Sequence, residues 1–266
     1  MDTRRLPSDF QQWWTAFRHQ FKFYLHTSRF LALLLLVVIA TGAVIGVTIW
    51  RGDGLGTGVS YVAGFLGLFG LFGILIGAFM GGDALAIDFG GGTGYFTLVL
   101  PVRRSVLLLG RYVAAFVASA VLIAVFYGGV VLGSLYHYHS PSNIVPGIPL
   151  LESFLLALLY ALGILSVAFF FSSFFRTPSV SIVATVLILI FGLNVADAIV
   201  GSLGYTAYYS INAAEAVLVT VLHAPAGPAA TSSPITVVQG ALIFFAYFVV
   251  FLTLSLIFYH FKESKG

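Results

Sequence analysis

The 266-residue chain has no cysteine. That excludes disulfides, thiolate metal sites and cysteine nucleophiles, and leaves the redox compartment open. Charge is also scarce: Asp, Glu, Lys and Arg make up 8% of the residues, against roughly 25% in an ordinary soluble domain. No basic stripe interleaved with exposed aromatics is present, which argues against nucleic acid as a partner. The glycine run at Gly90–Gly92 is not followed by a GK[ST] sequence, so the chain carries no phosphate loop of its own. No paired acids, serine–lysine dyad or histidine–acid cluster falls inside an apolar run. An enzyme reading therefore has no support. Nor does the N-terminus read as a cleavable signal peptide, because its first apolar run starts at Phe30 and is as long as a full membrane span.

What is abundant is apolar surface. Hydrophobic residues make up 60% of the chain, too much for one soluble core of this length to hide. Lipid is the natural solvent, and about 20 apolar residues cross it as a helix. Six runs qualify: Phe30–Trp50, Tyr61–Gly82, Tyr112–Tyr136, Phe154–Phe175, Val180–Leu203 and Ile235–Tyr259. A barrel would show short alternating segments instead. The predicted fold is all-α and polytopic, with a six-helix domain over 30–260. A tail of 1–29 precedes it and a tail of 261–266 follows.

Basic residues set the expected orientation. Arg4, Arg5, Arg18, Lys22, Arg29, Arg103, Arg104, Arg111, Arg176, Lys262 and Lys265 share one side of a six-span layout, and Arg51 stands alone on the other. Both termini are expected in the cytoplasm, with the chain in the cell membrane.

Glycines recur every four residues in the second run at Gly73, Gly77 and Gly81. Small residues at this spacing let helix backbones approach closely. The plain reading is packing within one protomer, with a dimer seam or moving contact as the other. Gly42 and Gly46 in the first run read the same way. Ahead of that run, Phe10, Trp13, Trp14, Phe17, Phe21, Tyr24 and Leu25 fall on one helical face, with Arg18, His19 and Lys22 around them. Such a helix lies at a membrane surface, as an anchor or as a mechanical elbow.

Two connections stand out. Residues 83–110 are longer than a turn and only partly polar. The glycines at Gly90–Gly92 break any helix. Thr93 can cap a short helix to about Leu100, and Pro101 ends it. That suits a docking element, although snorkelling arginines on an ordinary interfacial loop would look similar. The 202–234 connection has no lysine or arginine. Its apolar stretch Ala213–Leu222, interrupted by Glu215 and Thr220, is too short to span and predicts an interfacial or re-entrant helix. Asp197, late in the fifth run, is costly in lipid and must face protein or water. A pathway role competes with a bond to Asn194 or exposure at the boundary. His137 and His139, between Tyr136 and Tyr138, read as an aromatic interfacial belt rather than a metal site, and His223 as a loop residue.

The sequence here resembles a family. Asp88, Gly92-Thr93, Leu98, Leu100, Pro101, Arg103-Arg104 and Gly110-Arg111 match in order a local signature of ABC-2-type permeases, the membrane subunits of type-2 ABC exporters. Where that family often has a Glu-Arg pair before Gly-Thr, this chain has Ile87-Asp88-Phe89 and two additional glycines. The resemblance implies six helices, an N-terminal elbow helix, a coupling helix between spans two and three, and short outer helices between spans five and six. It implies a separate ATPase subunit that binds ATP and Mg, a second permease subunit forming a homo- or heterodimer, and no cofactor or metal in this chain. It implies that Asp88, Gly92, Thr93, Tyr95, Pro101, Arg103 and Arg104 meet the ATPase. The low charge of the spans points to an apolar or amphipathic cargo. The alternatives are a secondary transporter or channel without an ATPase, and a non-transporting membrane anchor.

Overall fold

The computed structural model describes residues 8–51, 58–87, 104–137, 147–222 and 235–261. Among them every regular element is helical. In chain order these are α1 (Asp9–His26), α2 (Ser28–Arg51), α3 (Gly58–Leu66), α4 (Phe69–Gly81), α5 (Arg104–His137) and α6 (Gly147–Phe174). Next come α7 (Pro178–Leu187), a π turn at Ile188–Gly192, α8 (Leu193–Ser202), α9 (Ile211–Glu215), α10 (Val217–Thr220) and α11 (Val237–Phe261).

Six of these segments are long and apolar enough to cross a membrane: Ser28–Trp50, Gly58–Gly81, Ser105–Tyr136, Gly147–Phe174, Pro178–Ser202 and Val237–Tyr259. They are called the first to sixth spans below. The chain has the build of an all-α, multi-pass membrane protein. The third span differs most from expectation. Its helix starts at Arg104 rather than near Tyr112, because Arg104–Arg111 carries no glycine pair or proline able to stop it. The 83–110 connection is shorter by those residues.

The bundle has a centre and a periphery. In the second and fourth spans 61% of the apolar window is buried, against 22%, 17% and 11% in the first, fifth and sixth. The central seam is a ridge in a groove. A Cβ at Gly73 would meet Tyr160 at 2.7 Å, one at Gly77 would meet the Ile164 side chain, and one at Gly81 would meet Ala168 at 2.8 Å. The four-residue glycine row thus receives a four-residue row of the fourth span. Gly42 and Gly46 do not share this role, since nothing among the described residues lies within 4 Å of a Cβ there.

Two spans are interrupted. The second breaks at Gly67–Leu68, where Leu68 N–H turns back to Phe65 O at 3.0 Å and a new helix starts at Phe69. The fifth opens into its π turn, with Leu193 N–H donating to Ile188 O. A π turn displaces carbonyls from their usual donors. Here Leu189 O accepts from the Asn212 amide at 2.6 Å and Ile190 O from the Asn194 amide at 2.5 Å.

Candidate functional site

The elbow helix is defined by its ends. Ser8 and Gln11 form a reciprocal capping box. At the other end Thr27 N–H returns to Tyr24 O at 3.1 Å, and the first span starts one residue later. Trp13, Phe17 and Phe21 stack in a row, with ring centroids 5.7 and 5.8 Å apart. This helix does more than lie on a surface, because it packs against the third span. A Cβ at Gly110 would meet Ala16 Cβ and Trp13 O at 3.0 Å, so glycine permits that close approach.

A polar junction is built where the elbow, the second span and the third span meet. The Tyr24 hydroxyl is buried and donates to Met80 O at 2.6 Å. Burial pushes its pKa up, and Asp83 adds to the shift. Arg29, the second residue of the first span, donates to the Asp83 carboxylate at 2.5 Å. Asp83 is 1% exposed, and burial pushes its pKa up to about 6, with Arg29 and Arg111 acting in the opposite direction. Arg111 reaches across from the third span and donates to Ala84 O at 2.9 Å. The fourth span contributes Ser172, whose Oγ accepts from both Leu85 N–H and Ala86 N–H at 2.9 Å. The end of the second span and the turn that leaves it, residues 80–87, are therefore held by side chains from the elbow, the first, the third and the fourth spans.

Of the residues the resemblance singled out, Arg104 opens the third-span helix. Asp88, Gly92, Thr93, Tyr95, Pro101, Arg103 and the short helix expected from Thr93 to Leu100 lie outside the described residues, as do His139 and His223. The described junction sits at both exits of that connection, through Gly82–Ile87 on one side and Arg111 on the other.

No family model and no curated protein matches this chain.

Asp83 and Ser172 are junction residues that the motif did not flag. One signal was available for Asp83. It is the first acid after a long apolar run, and Arg29 is the last base before the preceding one. Antiparallel neighbours bring those two ends together. Ser172 had no such signal, since serines are common near span ends.

At the opposite end of the bundle the hydrogen bonds among the described residues involve no arginine. Asp197 accepts from Ser210 Oγ at 2.6 Å, and not from Asn194. Ser210 in turn caps α9 by accepting from Ala213 N–H at 3.3 Å. Ser153 donates to Leu218 O at 2.9 Å and bonds the Tyr127 hydroxyl at 2.9 Å. The segment from Ile211 to Thr220 is thus drawn into the bundle as two short helices, where one was expected from Ala213 to Leu222. Ile211, Ala214, Val217 and Leu218 are fully buried there. Among the described residues no group of three or more His, Cys, Asp or Glu could hold a metal ion.

Proposed function

We propose that this chain is the permease subunit of an ATP-driven exporter. It works as a dimer, with ATP and Mg bound by a separate ATPase subunit. The carrying observation is the junction around Asp83. The connection between the second and third spans leaves through a span end and turn, residues 80–87, tied by an ion pair and three further side-chain anchors to four other elements. Force applied to residues 88–103 would reach the elbow and the first four spans together. A coupling device needs that property, and a passive loop does not. In this reading the basic end faces the cytoplasm, with Asp88, Thr93, Tyr95, Arg103 and Arg104 toward the ATPase and Pro101 and Gly92 shaping the loop.

The absence of cysteine makes the test clean. Single-cysteine variants at Thr93 and Arg104, in intact cells, are expected to resist a membrane-impermeant maleimide and to react once the membrane is opened. Purified with its ATPase in proteoliposomes, the chain is expected to support cargo-stimulated ATP hydrolysis. Charge reversal at Asp88 or Arg104 is expected to abolish that stimulation. Labelling from outside, or an ATPase indifferent to the chain, would overturn the reading.

One observation favours a secondary transporter as the second reading. The second span is interrupted at Gly67–Leu68, with the acid Glu215 at the new helix start. Interrupted helices with polar groups at the break are how gradient-driven carriers bind their ions. Uptake driven by a proton gradient with no ATPase present would select it.

A further inference from the structure

Glu215 lies where the second span is broken. Its carboxyl fills the place a side chain would take at Gly70, so that any Cβ there would collide with it. Gly70 is the second residue of α4, and its N–H stabilises the charged form of the carboxyl. The first backbone N–H groups of a helix have no partner within it and attract negative charge. Leu68, the residue that should cap α4, offers no side-chain hydrogen bond. A side chain from the 202–234 connection supplies that cap instead.

One turn further on, the same groove holds Tyr160. A Cβ at Gly73 would meet its ring at 2.7 Å, and its hydroxyl is fully buried with no hydrogen-bond partner among the described residues. Glu215 and Tyr160 therefore share the groove, and one of them titrates near neutral pH. The other titratable groups around it are few. The second span brings Tyr61, the third Tyr127, and the fourth Tyr160 and Glu152. The fifth brings Asp197, tied to Ser210, and the sixth Tyr247. No lysine or arginine occurs among the described residues of the second, fourth, fifth or sixth spans or of residues 203–222. Among the described residues the carboxyl is thus desolvated, with a backbone N–H beside it and no cation among the causes of its shift.

We propose that Glu215 is a proton-operated clasp between the Ile211–Thr220 segment and the break in the second span. The neutral acid closes it. The charged acid favours release, because a carboxylate prefers water to an apolar groove without a cation. Burial pushes this carboxyl up to about 7 from an ordinary 4.5, and the Gly70 N–H only partly offsets that. A raised value in the clasped state means that clasping is favoured fully below the ordinary value. The advantage is lost as pH rises through about 7. The inference does not depend on an ATPase partner.

The test uses the full chain in nanodiscs, where both faces meet the same buffer. Ala214, fully buried next to Glu215, becomes the single cysteine in Ala214→Cys, and Tyr205→Cys, 72% exposed, corrects for thiolate chemistry. The corrected maleimide rate at position 214 is expected to rise more than about tenfold from pH ~5 to ~9. Adding Glu215→Gln is expected to hold it low throughout. A flat profile, or the same rise with Gln at 215, overturns the clasp. Infrared titration of the unlabelled chain is the second readout, in case Ala214→Cys fails to fold. A protonated-carboxyl band titrating near neutral pH and missing from Glu215→Gln is expected, and its absence sinks the proposal.

Discussion

At the basic end Asp83 is buried beside Arg29, with Arg111 close enough to favour its charge. At the opposite end Glu215 has the Gly70 backbone and Tyr160 beside it, and Asp197 the Ser210 hydroxyl and Tyr209. All three are acids in a chain that has few. Among the described residues the difference is the supply of cations. Burial raises the pKa of both carboxyls; a guanidinium opposes the rise at Asp83 and a backbone N–H opposes it at Glu215. In the proposed reading the basic end transmits position and the opposite end changes it.

Removing the cation that distinguishes the two ends should have the largest effect. Arg29→Ala leaves Asp83 buried without its ion pair and is expected to cost roughly 2–4 kcal/mol. The lower part of that range applies, because Arg29 keeps 37% of its side-chain surface exposed. Asp83 titrates at about 6 in the folded chain and at 3.8 ordinarily. The neutral form's advantage is therefore full below 3.8 and lost as pH rises through about 6. The Arg29→Ala deficit is expected to be largest at alkaline pH and to shrink on acidification, read as unfolding midpoints in nanodiscs. Adding Asp83→Asn should recover most of it. A pH-independent deficit would mean that the pair is ornamental.

The seam joining the two ends comes next. Gly77→Val drives a methyl group into Ile164 and is expected to cost about 1–3 kcal/mol. Gly42→Ala, with open space around it, is expected to be neutral or slightly stabilising in the same assay. Ser172→Ala takes the hydroxyl acceptor from Leu85 and Ala86 N–H, for a loss of about 1–2 kcal/mol. If the junction couples, that variant also loses ATPase stimulation at temperatures where it is still folded.

The six spans were legible because length and apolarity are properties of contiguous sequence. The glycine row of the second span was legible too, but its partner was not. Nothing in Tyr160, Ile164 and Ala168 marks them as the ridge that fills it. Gly42 and Gly46 have the same spacing and a different fate, since spacing states what a helix can receive and not what arrives. The breaks were hidden for a related reason. Gly67 resembles Gly64 and Gly70, and only the Glu215 carboxyl at the new helix start distinguishes the position. Glu215 looked like an interruption in an apolar stretch. Its role depends on a residue more than a hundred positions earlier. Of the polar anchors, Arg29 and Asp83 could be paired from topology, while Ser172 and Tyr24 carry no sequence signal of their partners.

The smallest expected effect falls on Asp197. Its oxygen accepts from Ser210 Oγ, and Ser210 caps the helix that carries Glu215 toward the groove. Asp197→Asn keeps an acceptor at that position while removing the charge. Stability is expected to stay within about 0.5 kcal/mol. Asp197→Leu removes the acceptor and is expected to cost about 1 kcal/mol. If the residue only holds the cap, transport follows stability: Asn is normal and Leu is weakened in step with its melting point. An Asn variant that melts normally but does not transport would separate charge from scaffold. It would move Asp197 into the pathway and leave the opposite end with two working acids in place of one.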